Sequence, residues 1–284
     1  MREFFQPDLL EGHHVVVTGG GTGLGRVMAI RFAELGAAVS ICGRRKEPLE
    51  DTASFIRKAG GKATYATCNV RELESVEVFL QEVEAQQGPV TRLVNNAAAN
   101  FLAATERLTP GGFDAIVRTN LYGTFYFTQS CGKRWIADGT PGAVVSIVTT
   151  YAETGSAFVV PSAASKAGIV ALTRSLAVEW GLYNIRLNAI APGPFPTKGA
   201  WERLMVSQDL EKMMRQRIPL GRFGDPLELA NLAAFLLSDA SAFITGEVVT
   251  IDGGEKLSAG GQFNYLAQLP REQLLAMLEA MRKK

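Results

Sequence analysis

Short apolar runs alternate with longer amphipathic stretches along most of this chain. Residue types that favour strands cluster near 14–18, 38–42, 62–66, 91–95, 142–149, 185–190 and 247–251. Between them, apolar residues at helical spacing predict helices at 24–35, 47–59, 72–87, 113–137, 161–181 and 226–238. Such alternation is typical of a parallel sheet covered by helices. The pattern therefore predicts an α/β fold with a doubly wound parallel sheet of seven strands.

No repeat or Pro/Ser-rich linker divides the 284 residues, so we expect a single domain. The segment near 195–216 follows the sixth predicted strand and is expected to form a lid over a substrate. Residues 256–284 form a C-terminal extension that ends in an amphipathic helix. That helix could dock on a neighbouring subunit or cap the substrate pocket, and the sequence leaves both open.

Charge and composition remove several classes of function. A formal net charge of +1 gives no basic field for nucleic acid. The three cysteines show no CxxC spacing and the two histidines are adjacent, so no metal site is expected. Acidic residues near the N-terminus and the lack of a long apolar run argue against a secretory signal or a membrane span. We expect a cytoplasmic protein that binds neither nucleic acid nor membrane.

A glycine-rich turn follows the first predicted strand. TGGGTGLG at 18–25 joins that strand to the first helix and places Gly19, Thr22, Gly23 and Leu24 at the junction. Glycines let the backbone turn sharply and approach a pyrophosphate, and the N–H groups at a helix start attract its charge. The turn therefore predicts a dinucleotide site, although a plain strand-to-helix turn remains the alternative.

The end of the second strand indicates which dinucleotide is bound. NAD-binding folds usually place an acidic residue here, but this chain has Gly43-Arg44-Arg45. A guanidinium group can hold an adenosine 2′-phosphate with paired hydrogen bonds, whereas a carboxylate would repel it. We therefore predict NADPH as the cofactor, with Arg44 as the contact. The alternative is that both arginines are solvated loop charges.

Further motifs extend this pattern and carry a family resemblance. TGGGTGLG, NNAA at 95–98, Asn120 in TNLYGTF, Lys166, the Pro192-Gly193 pair and ITGEVVTIDGG at 244–254 together resemble the short-chain dehydrogenase/reductases over roughly residues 10–255. The resemblance implies a Rossmann-like seven-stranded sheet, a nicotinamide cofactor, hydride transfer and a homotetramer. It also implies a cofactor site that includes Asn69, Asn96, Pro192 and Gly193, with Asn69 standing where many members have aspartate.

The reactive tyrosine of that family is displaced in this chain. Four residues before Lys166 stands Ser162 rather than tyrosine, and Thr149 occupies the usual serine position. A serine hydroxyl is too weak an acid to replace a phenol with a pKa of about 10, so ordinary ketone reduction is not expected. Tyr151 and Asn100 follow neighbouring strands, where their hydrogen-bond donors could converge on one carbonyl oxygen and stabilise an enolate. The alternatives are that Tyr151 is an aromatic side chain that packs the loop at the rim of the site, and that Asn100 is an amide that caps its own loop.

The altered segment resembles a narrower branch, the NADPH-dependent 2,4-dienoyl-CoA reductases of the mitochondrial type. The matching stretches are NNAAANF at 95–101, TERLTP at 105–110, TYAETGSAFVVPSAASKAG at 150–168 and APGPFPTKGA at 191–200. The resemblance implies a role for each site residue: Tyr151 and Asn100 hold the thioester oxygen, Ser162 orients the tyrosine, Lys166 binds the nicotinamide ribose, Asn120 supports the lysine, and Thr197 lies near the cofactor.

The activity implied by this branch is reduction of a 2,4-dienoyl-CoA thioester to a 3-enoyl-CoA in the β-oxidation of unsaturated fatty acids. Residues 1–255 would then form the reductase domain, with 256–284 as an extension of it. Two other interpretations remain open. One is a different enoyl, 3-oxoacyl or carbonyl reductase of the same family, and the other is a non-catalytic protein that retained the cofactor fold.

Overall fold

Seven parallel strands form one sheet in the computed structural model, which describes residues 5–197, 208–258 and 260–282. In chain order they are β1 His14–Thr18, β2 Ala38–Gly43, β3 Lys62–Thr67, β4 Arg92–Asn95, β5 Gly142–Ile147, β6 Ile185–Pro192 and β7 Val248–Ile251. Across the sheet the order is β3-β2-β1-β4-β5-β6-β7. The predicted α/β class and single seven-stranded parallel sheet are therefore confirmed. The order reverses between β1 and β4, where doubly wound folds open a ligand crevice.

Helices cover both faces of the sheet. They are α1 Gly23–Glu34, α2 Lys46–Lys58, α3 Leu73–Gln87, α4 Pro110–Val117, α5 Gly123–Asp138, α6 Tyr151–Thr154, α7 Val160–Glu179, α8 Gln208–Arg217, α9 Pro226–Leu237, α10 Glu255–Ser258 and α11 Arg271–Arg282. Phe32 of α1 packs with Leu236 of α9 on one face. On the other face Phe79 of α3 meets Phe127 of α5 edge to face, with ring centroids 5.9 Å apart. These two apolar layers fix the sheet between them.

Two element boundaries differ from the predictions. The helix predicted over 113–137 begins at Pro110, where Thr109 accepts a hydrogen bond from the Gly112 N–H, and a π-helical segment at Arg118–Tyr122 separates α4 from α5. The strand predicted over 142–149 ends at Ile147 because the chain then turns, with the Ala152 N–H bonded to the Thr149 carbonyl. Both differences lie beside the residues with predicted chemical roles.

Part of the predicted lid and the C-terminal extension can be placed. Of the predicted lid at 195–216, residues 195–197 precede a stretch, 198–207, that lies outside the described residues, and α8 covers 208–216 and one further residue. In the extension, α11 leaves Leu275, Leu278 and Met281 exposed. An ion pair between Lys256 of α10 and Glu153 of α6 ties the start of the extension to the body of the domain. Within the described ranges, every helix is too short or too polar to cross a membrane.

Candidate active site

A cleft of about 700 Å³ opens at the carboxyl ends of β1, β2, β3 and β4. The glycine turn forms its floor, and the residues after β2 and β3 form the wall at one end. Predicted cofactor residues among its lining are Gly19, Thr22, Gly23, Leu24, Arg44, Asn69, Asn96 and Thr197. The cleft therefore brings together most of the residues that sequence reasoning assigned to the dinucleotide, at the crevice where the strand order reverses.

The glycine turn is shaped by close backbone contacts. Gly19 has a φ of +69°, a conformation that residues with a Cβ rarely adopt. A Cβ added to Gly25 would lie 2.3 Å from the Gly19 carbonyl oxygen, so only glycine fits there. Asn96 fixes the turn from the neighbouring strand, because its side-chain amide donates to the Thr18 carbonyl at 2.9 Å. Asn96 thus holds the floor of the cleft in place.

Three arginines face one end of the cleft. Arg44 and Arg45 follow β2, and Arg71 follows β3 on the adjacent wall. Within the described ranges, no carboxylate forms an ion pair with any of these guanidinium groups. Sequence reasoning overlooked Arg71, although its place two residues beyond Asn69, just after a parallel strand, was a usable signal. This positive end of the cleft suits a phosphate group.

Asn69 is already partly engaged in the loop after β3. Its side-chain amide donates to the Glu72 carboxylate at 2.5 Å, and its carbonyl oxygen accepts from the Arg71 N–H at 3.3 Å. A carbonyl oxygen has two lone pairs, so Asn69 keeps one acceptor position for an adenine amino group. Asn69 can therefore still accept the hydrogen bond that aspartate would accept at this position.

The remaining predicted cofactor residues follow β6. Thr197 lines the cleft, and its hydroxyl lies 3.6 Å from where a Cβ of Gly23 would stand. The segment after β6 therefore passes close over the glycine turn. Pro192 and Gly193 lie farther back, where the Gly193 N–H donates to the Ile251 carbonyl of β7 at 2.9 Å. Pro192 and Gly193 are not among the residues that line the cleft. The bond of Gly193 to β7 instead sets the direction in which the following segment leaves β6.

Tyr151, Asn100 and Ser162 converge on one point. The Tyr151 hydroxyl lies 3.5 Å from the side-chain nitrogen of Asn100 and 3.1 Å from the hydroxyl oxygen of Ser162. Tyr151 is the first residue of the one-turn helix α6, which Gly155 ends with a φ of +69°. Asn100 comes from the loop after β4, and Ser162 from the first turn of α7. Residues from three separate elements thus meet around a single phenol.

Asn120 connects the two sides of this cluster. It lies in the π-helical segment, is fully buried, and exchanges hydrogen bonds with the Ala99 backbone at 2.8 and 3.1 Å. Its amide also donates to Ser165 of α7 at 3.1 Å. These bonds clamp the residue that precedes Asn100 and join it to α7. π-Helical turns often occur at functional sites because they redirect a side chain in this way. The predicted support of Lys166 by Asn120 stays a prediction.

Lys166 lies one helical turn after Ser162 on the same side of α7, since residues four apart share a face. Its side chain is 4% exposed, and its ammonium donates to the Ile147 carbonyl at 2.5 Å. Burial lowers the pKa of Lys166 from 10.5 to about 8. At neutral pH it therefore remains a cation held inside the protein near the end of β5.

Comparison with known proteins identifies the family. A family model described as enoyl-(acyl carrier protein) reductase matches residues 19–256. The chain belongs to the short-chain dehydrogenase/reductase family. It is 44% identical to the probable 2,4-dienoyl-CoA reductase 3 [(3E)-enoyl-CoA-producing] of Caenorhabditis elegans over 87% of this chain and 81% of that protein. It is 42% identical to the probable 2,4-dienoyl-CoA reductase [(2E)-enoyl-CoA-producing] of Bacillus subtilis over 88% and 98% of the two chains.

Solved structures of this family share the fold. A short-chain dehydrogenase from Bacillus anthracis is similar with a TM-score of 0.79 and 39% identity, covering 91% of this chain and 98% of that one. A gluconate 5-dehydrogenase from Burkholderia cenocepacia, in complex with NADP and tartrate, has a TM-score of 0.83 and 32% identity over 88% and 98% of the chains. This chain is therefore an oxidoreductase of the short-chain dehydrogenase/reductase family.

Among the described residues, two buried side-chain oxygens lack a hydrogen-bond partner, Asn95 Oδ1 and Thr149 Oγ1. The Thr149 hydroxyl, at the position where the family usually has serine, is buried with no hydrogen bond to the described residues. Buried hydroxyls are normally paired, because an unpaired one costs about 1–3 kcal/mol. Three features fit a site that a bound dinucleotide and substrate would complete. They are the glycine turn with no room for a Cβ at Gly25, the three arginines without a carboxylate partner in the described structure, and the unpaired Thr149 hydroxyl.

Proposed function

We propose that this reductase uses NADPH to reduce a 2,4-dienoyl-CoA thioester to a 3-enoyl-CoA. The observation that carries the proposal is the placement of the Tyr151 phenol beside Asn100 and Ser162. The position one turn before Lys166 holds Ser162, whose hydroxyl cannot serve as the acid of a ketone reductase. The Tyr151 phenol instead lies beside a second hydrogen-bond donor, the Asn100 amide. Two donors at one point are what an oxyanion site for an enolate requires.

The residues suit the charge that develops during such a reaction. NADPH, when bound, supplies a hydride to the δ carbon of the diene. Negative charge then moves through the conjugated bonds to the thioester oxygen, where Tyr151 and Asn100 each offer a hydrogen-bond donor. The amide of Asn100 is held in register by the Asn120 clamp on Ala99. Preorganised donors of this kind stabilise the transition state because they need no reorientation during the reaction.

Protonation of the dienolate completes the reaction and sets the product. Tyr151 donates a proton to the α carbon while Ser162 donates a hydrogen bond to its phenolic oxygen. Lys166, as a buried cation one turn away, favours the negative charge that Tyr151 then carries. Protonation at the α carbon leaves the remaining double bond between the β and γ carbons, which gives the 3-enoyl product.

The names of the relatives make this last step the point to test. The Caenorhabditis elegans relative is described as producing a (3E)-enoyl-CoA, and the Bacillus subtilis relative as producing a (2E)-enoyl-CoA. Protonation at the γ carbon would give the latter. We infer the 3-enoyl product because the phenol shares its location with Asn100, the partner donor at the thioester oxygen, and the α carbon lies closer to that oxygen than the γ carbon does.

The cofactor preference is inferred from the arginines. Arg44 and Arg45 stand where an NAD-binding fold would offer a carboxylate, and Arg71 adds a third positive charge to the same end of the cleft. An adenosine 2′-phosphate would pair with guanidinium groups that have no acidic partner in the described structure. NADPH should therefore be preferred over NADH.

The test is an assay of NADPH oxidation by the purified protein with three acyl-CoA classes. A 2,4-dienoyl-CoA should be reduced, whereas a 2-enoyl-CoA and a 3-oxoacyl-CoA should give little turnover. Replacing NADPH by NADH should lower kcat/KM, and chromatography of the product against 2-enoyl and 3-enoyl standards decides the site of protonation. Preferred turnover of the 3-oxoacyl-CoA would indicate a different reductase of the family. Dinucleotide binding without turnover of any substrate would support a non-catalytic protein.

A further inference from the structure

The one-turn helix α6, which carries Tyr151, has little packing of its own. None of its four residues is buried. Its backbone bonds are local, from the Ala152 N–H to the Thr149 carbonyl at 3.1 Å and from the Gly155 N–H to the Tyr151 carbonyl at 3.0 Å. A single turn of helix is unstable in water, because ordering its residues costs more than so few hydrogen bonds return. Contacts from other elements must therefore fix the direction of Tyr151.

Such contacts hold α6 from two sides. On one side the Tyr151 hydroxyl meets Ser162 and Asn100. Glu153 comes two residues later, and since successive helical residues are about 100° apart, it is placed about 200° from Tyr151 around the helix axis. There its carboxylate forms an ion pair with Lys256 of α10. The helix is thus attached on nearly opposite faces, at the phenol and at Glu153.

The backbone that carries Lys256 is well fixed. Asp252, which directly follows β7, accepts the Lys256 N–H at 2.7 Å and the Gly254 N–H at 2.8 Å with its two carboxylate oxygens. Next to Asp252, the Gly253 carbonyl accepts the Leu220 N–H at 3.2 Å from the segment after α8. Lys256 is therefore connected both to the end of the sheet and to the base of the lid.

Exposure of the two charged side chains differs. The Lys256 side chain is 21% exposed and the Glu153 side chain is 74% exposed. Most surface ion pairs contribute little, partly because two mobile side chains must be held together. A lysine whose stem is largely covered has less of this freedom to lose. The covered Lys256 is therefore the fixed partner to which the exposed Glu153 is attached.

We propose that Lys256 is a positioning residue for Tyr151, because through Glu153 it fixes α6 against the segment after β7 and so holds the phenol at Asn100 and Ser162. Lys256 acts on the direction of the helix and not on the reacting atoms. It is the first residue of the C-terminal extension, which thereby takes part in the site. The effect on turnover rests on the dienoyl-CoA reduction proposed above, whereas the effect on the order of α6 does not.

The experiment compares Lys256→Met with Lys58→Met in the full-length chain. Lys256→Met should lower kcat for a 2,4-dienoyl-CoA about fivefold, the factor by which a favourable exposed ion pair shifts an equilibrium. The KM for that substrate and the Kd for NADP⁺ should stay unchanged, and Lys256→Arg should restore most of kcat. Lys58 is exposed at the end of α2, and its replacement should change none of these values. Thermal melting checks that each variant is folded.

Glu153→Gln tests whether Lys256 acts through Glu153. The pKa of Glu153 is lowered mainly by the hydrogen bond from Lys256, with a weaker attraction from Arg174 of α7. Glu153→Gln weakens both attractions, so kcat should fall at least as far as in Lys256→Met. Adding Lys256→Met to Glu153→Gln should cost nothing more, because two residues of one pair are not additive. Losses that multiply in the double variant would show two separate effects and overturn the proposal.

Hydrogen exchange followed by mass spectrometry gives a readout that needs no turnover. In Lys256→Met the amides of residues 151–158 should exchange about fivefold faster, because α6 opens more easily without the ion pair. Those of α3 should not change. Unchanged exchange at 151–158 would overturn the proposal, as would a raised KM at unchanged kcat, which would indicate that Lys256 contacts the substrate. If the wild-type protein does not reduce a dienoyl-CoA, the proposed function fails, and exchange at 151–158 still decides whether Lys256 holds α6.

Discussion

The cofactor cleft and the Tyr151 cluster are neighbours that are built by different means. The floor of the cleft is backbone, with a glycine turn between β1 and α1 whose close contacts exclude a Cβ at Gly25. The cluster consists of side chains from three separate segments, and its partner Asn100 lies exposed on a loop. Backbone geometry is set by local sequence, whereas the cluster depends on the buried clamp that Asn120 makes to Ala99.

This difference separates two functions that one protein must combine. In the function proposed above, the rigid backbone turn would bind the pyrophosphate part of the dinucleotide, which dinucleotide-binding folds hold at such a turn. Side chains on loops can be relocated, as Tyr151 is here, without disturbing that binding. Changes in the cluster should therefore lower turnover and leave dinucleotide affinity intact, while changes in the turn should lower dinucleotide affinity and leave the cluster intact.

The largest effect is expected from Tyr151→Phe. Loss of one oxyanion donor typically lowers kcat by about 10²–10³, and the substitution retains the aromatic ring. The measurement is kcat for the dienoyl-CoA together with the Kd for NADP⁺, which should remain unchanged. Tyr183→Phe, a change to a surface tyrosine away from the cleft, serves as the matched control. Turnover of Tyr151→Phe at the wild-type rate would remove Tyr151 from the reaction.

The next largest effect is expected from Asn120→Ala, which releases Ala99 and so displaces Asn100. A misplacement of about 1 Å at a reacting group can cost about 10²-fold in rate. Ser165→Ala is the comparison variant, because it keeps the clamp on Ala99 while it removes the Asn120–Ser165 bond and the bond from the Ser165 hydroxyl to the Ser162 carbonyl. We expect kcat to fall far less in the comparison variant. Equal losses would show that the link to α7, and not the clamp, positions the cluster.

Gly25→Ala should give the opposite pattern. The added Cβ would meet the Gly19 carbonyl oxygen at 2.3 Å. Overpacking of this kind costs about 1–3 kcal/mol, which corresponds to about 5–150-fold in the Kd for NADP⁺. Gly181→Ala, where an added Cβ meets nothing within 4 Å, is the control. Isothermal titration measures both. Normal affinity in a folded Gly25→Ala protein would contradict a backbone-built cofactor site.

The two regions also differ in how far the sequence could predict them. Gly19 and Gly23 belong to one contiguous motif, and the strand before it is strongly apolar. The local sequence pattern was therefore enough to predict the turn and its place in the fold. The displacement of the family's tyrosine was visible in the sequence, because Ser162 stands four residues before Lys166 and Tyr151 follows Thr149. The contacts of Asn120 were not predictable, because they depend on a π-helical segment that the helical spacing over 113–137 does not reveal. Arg71 was overlooked for a different reason: its position just after a parallel strand was a usable signal, because such strands end at the same edge of the sheet, and this brings Arg71 to the same cleft as Arg44.

The smallest effect concerns Lys166, which joins the two regions because it is assigned to the ribose and lies one turn from Ser162. Its pKa is lowered from 10.5 to about 8 by burial, so it is an ammonium below about pH 8 and loses its charge as the pH rises above that value. If both regions need this cation, kcat/KM for NADPH should fall about tenfold per pH unit well above pH 8, since it reports ionisation in the free enzyme. Circular dichroism over the same range controls for unfolding. A flat profile through about pH 9.5 would show that the charge of Lys166 serves neither region, and that its bond to the Ile147 carbonyl is its whole contribution.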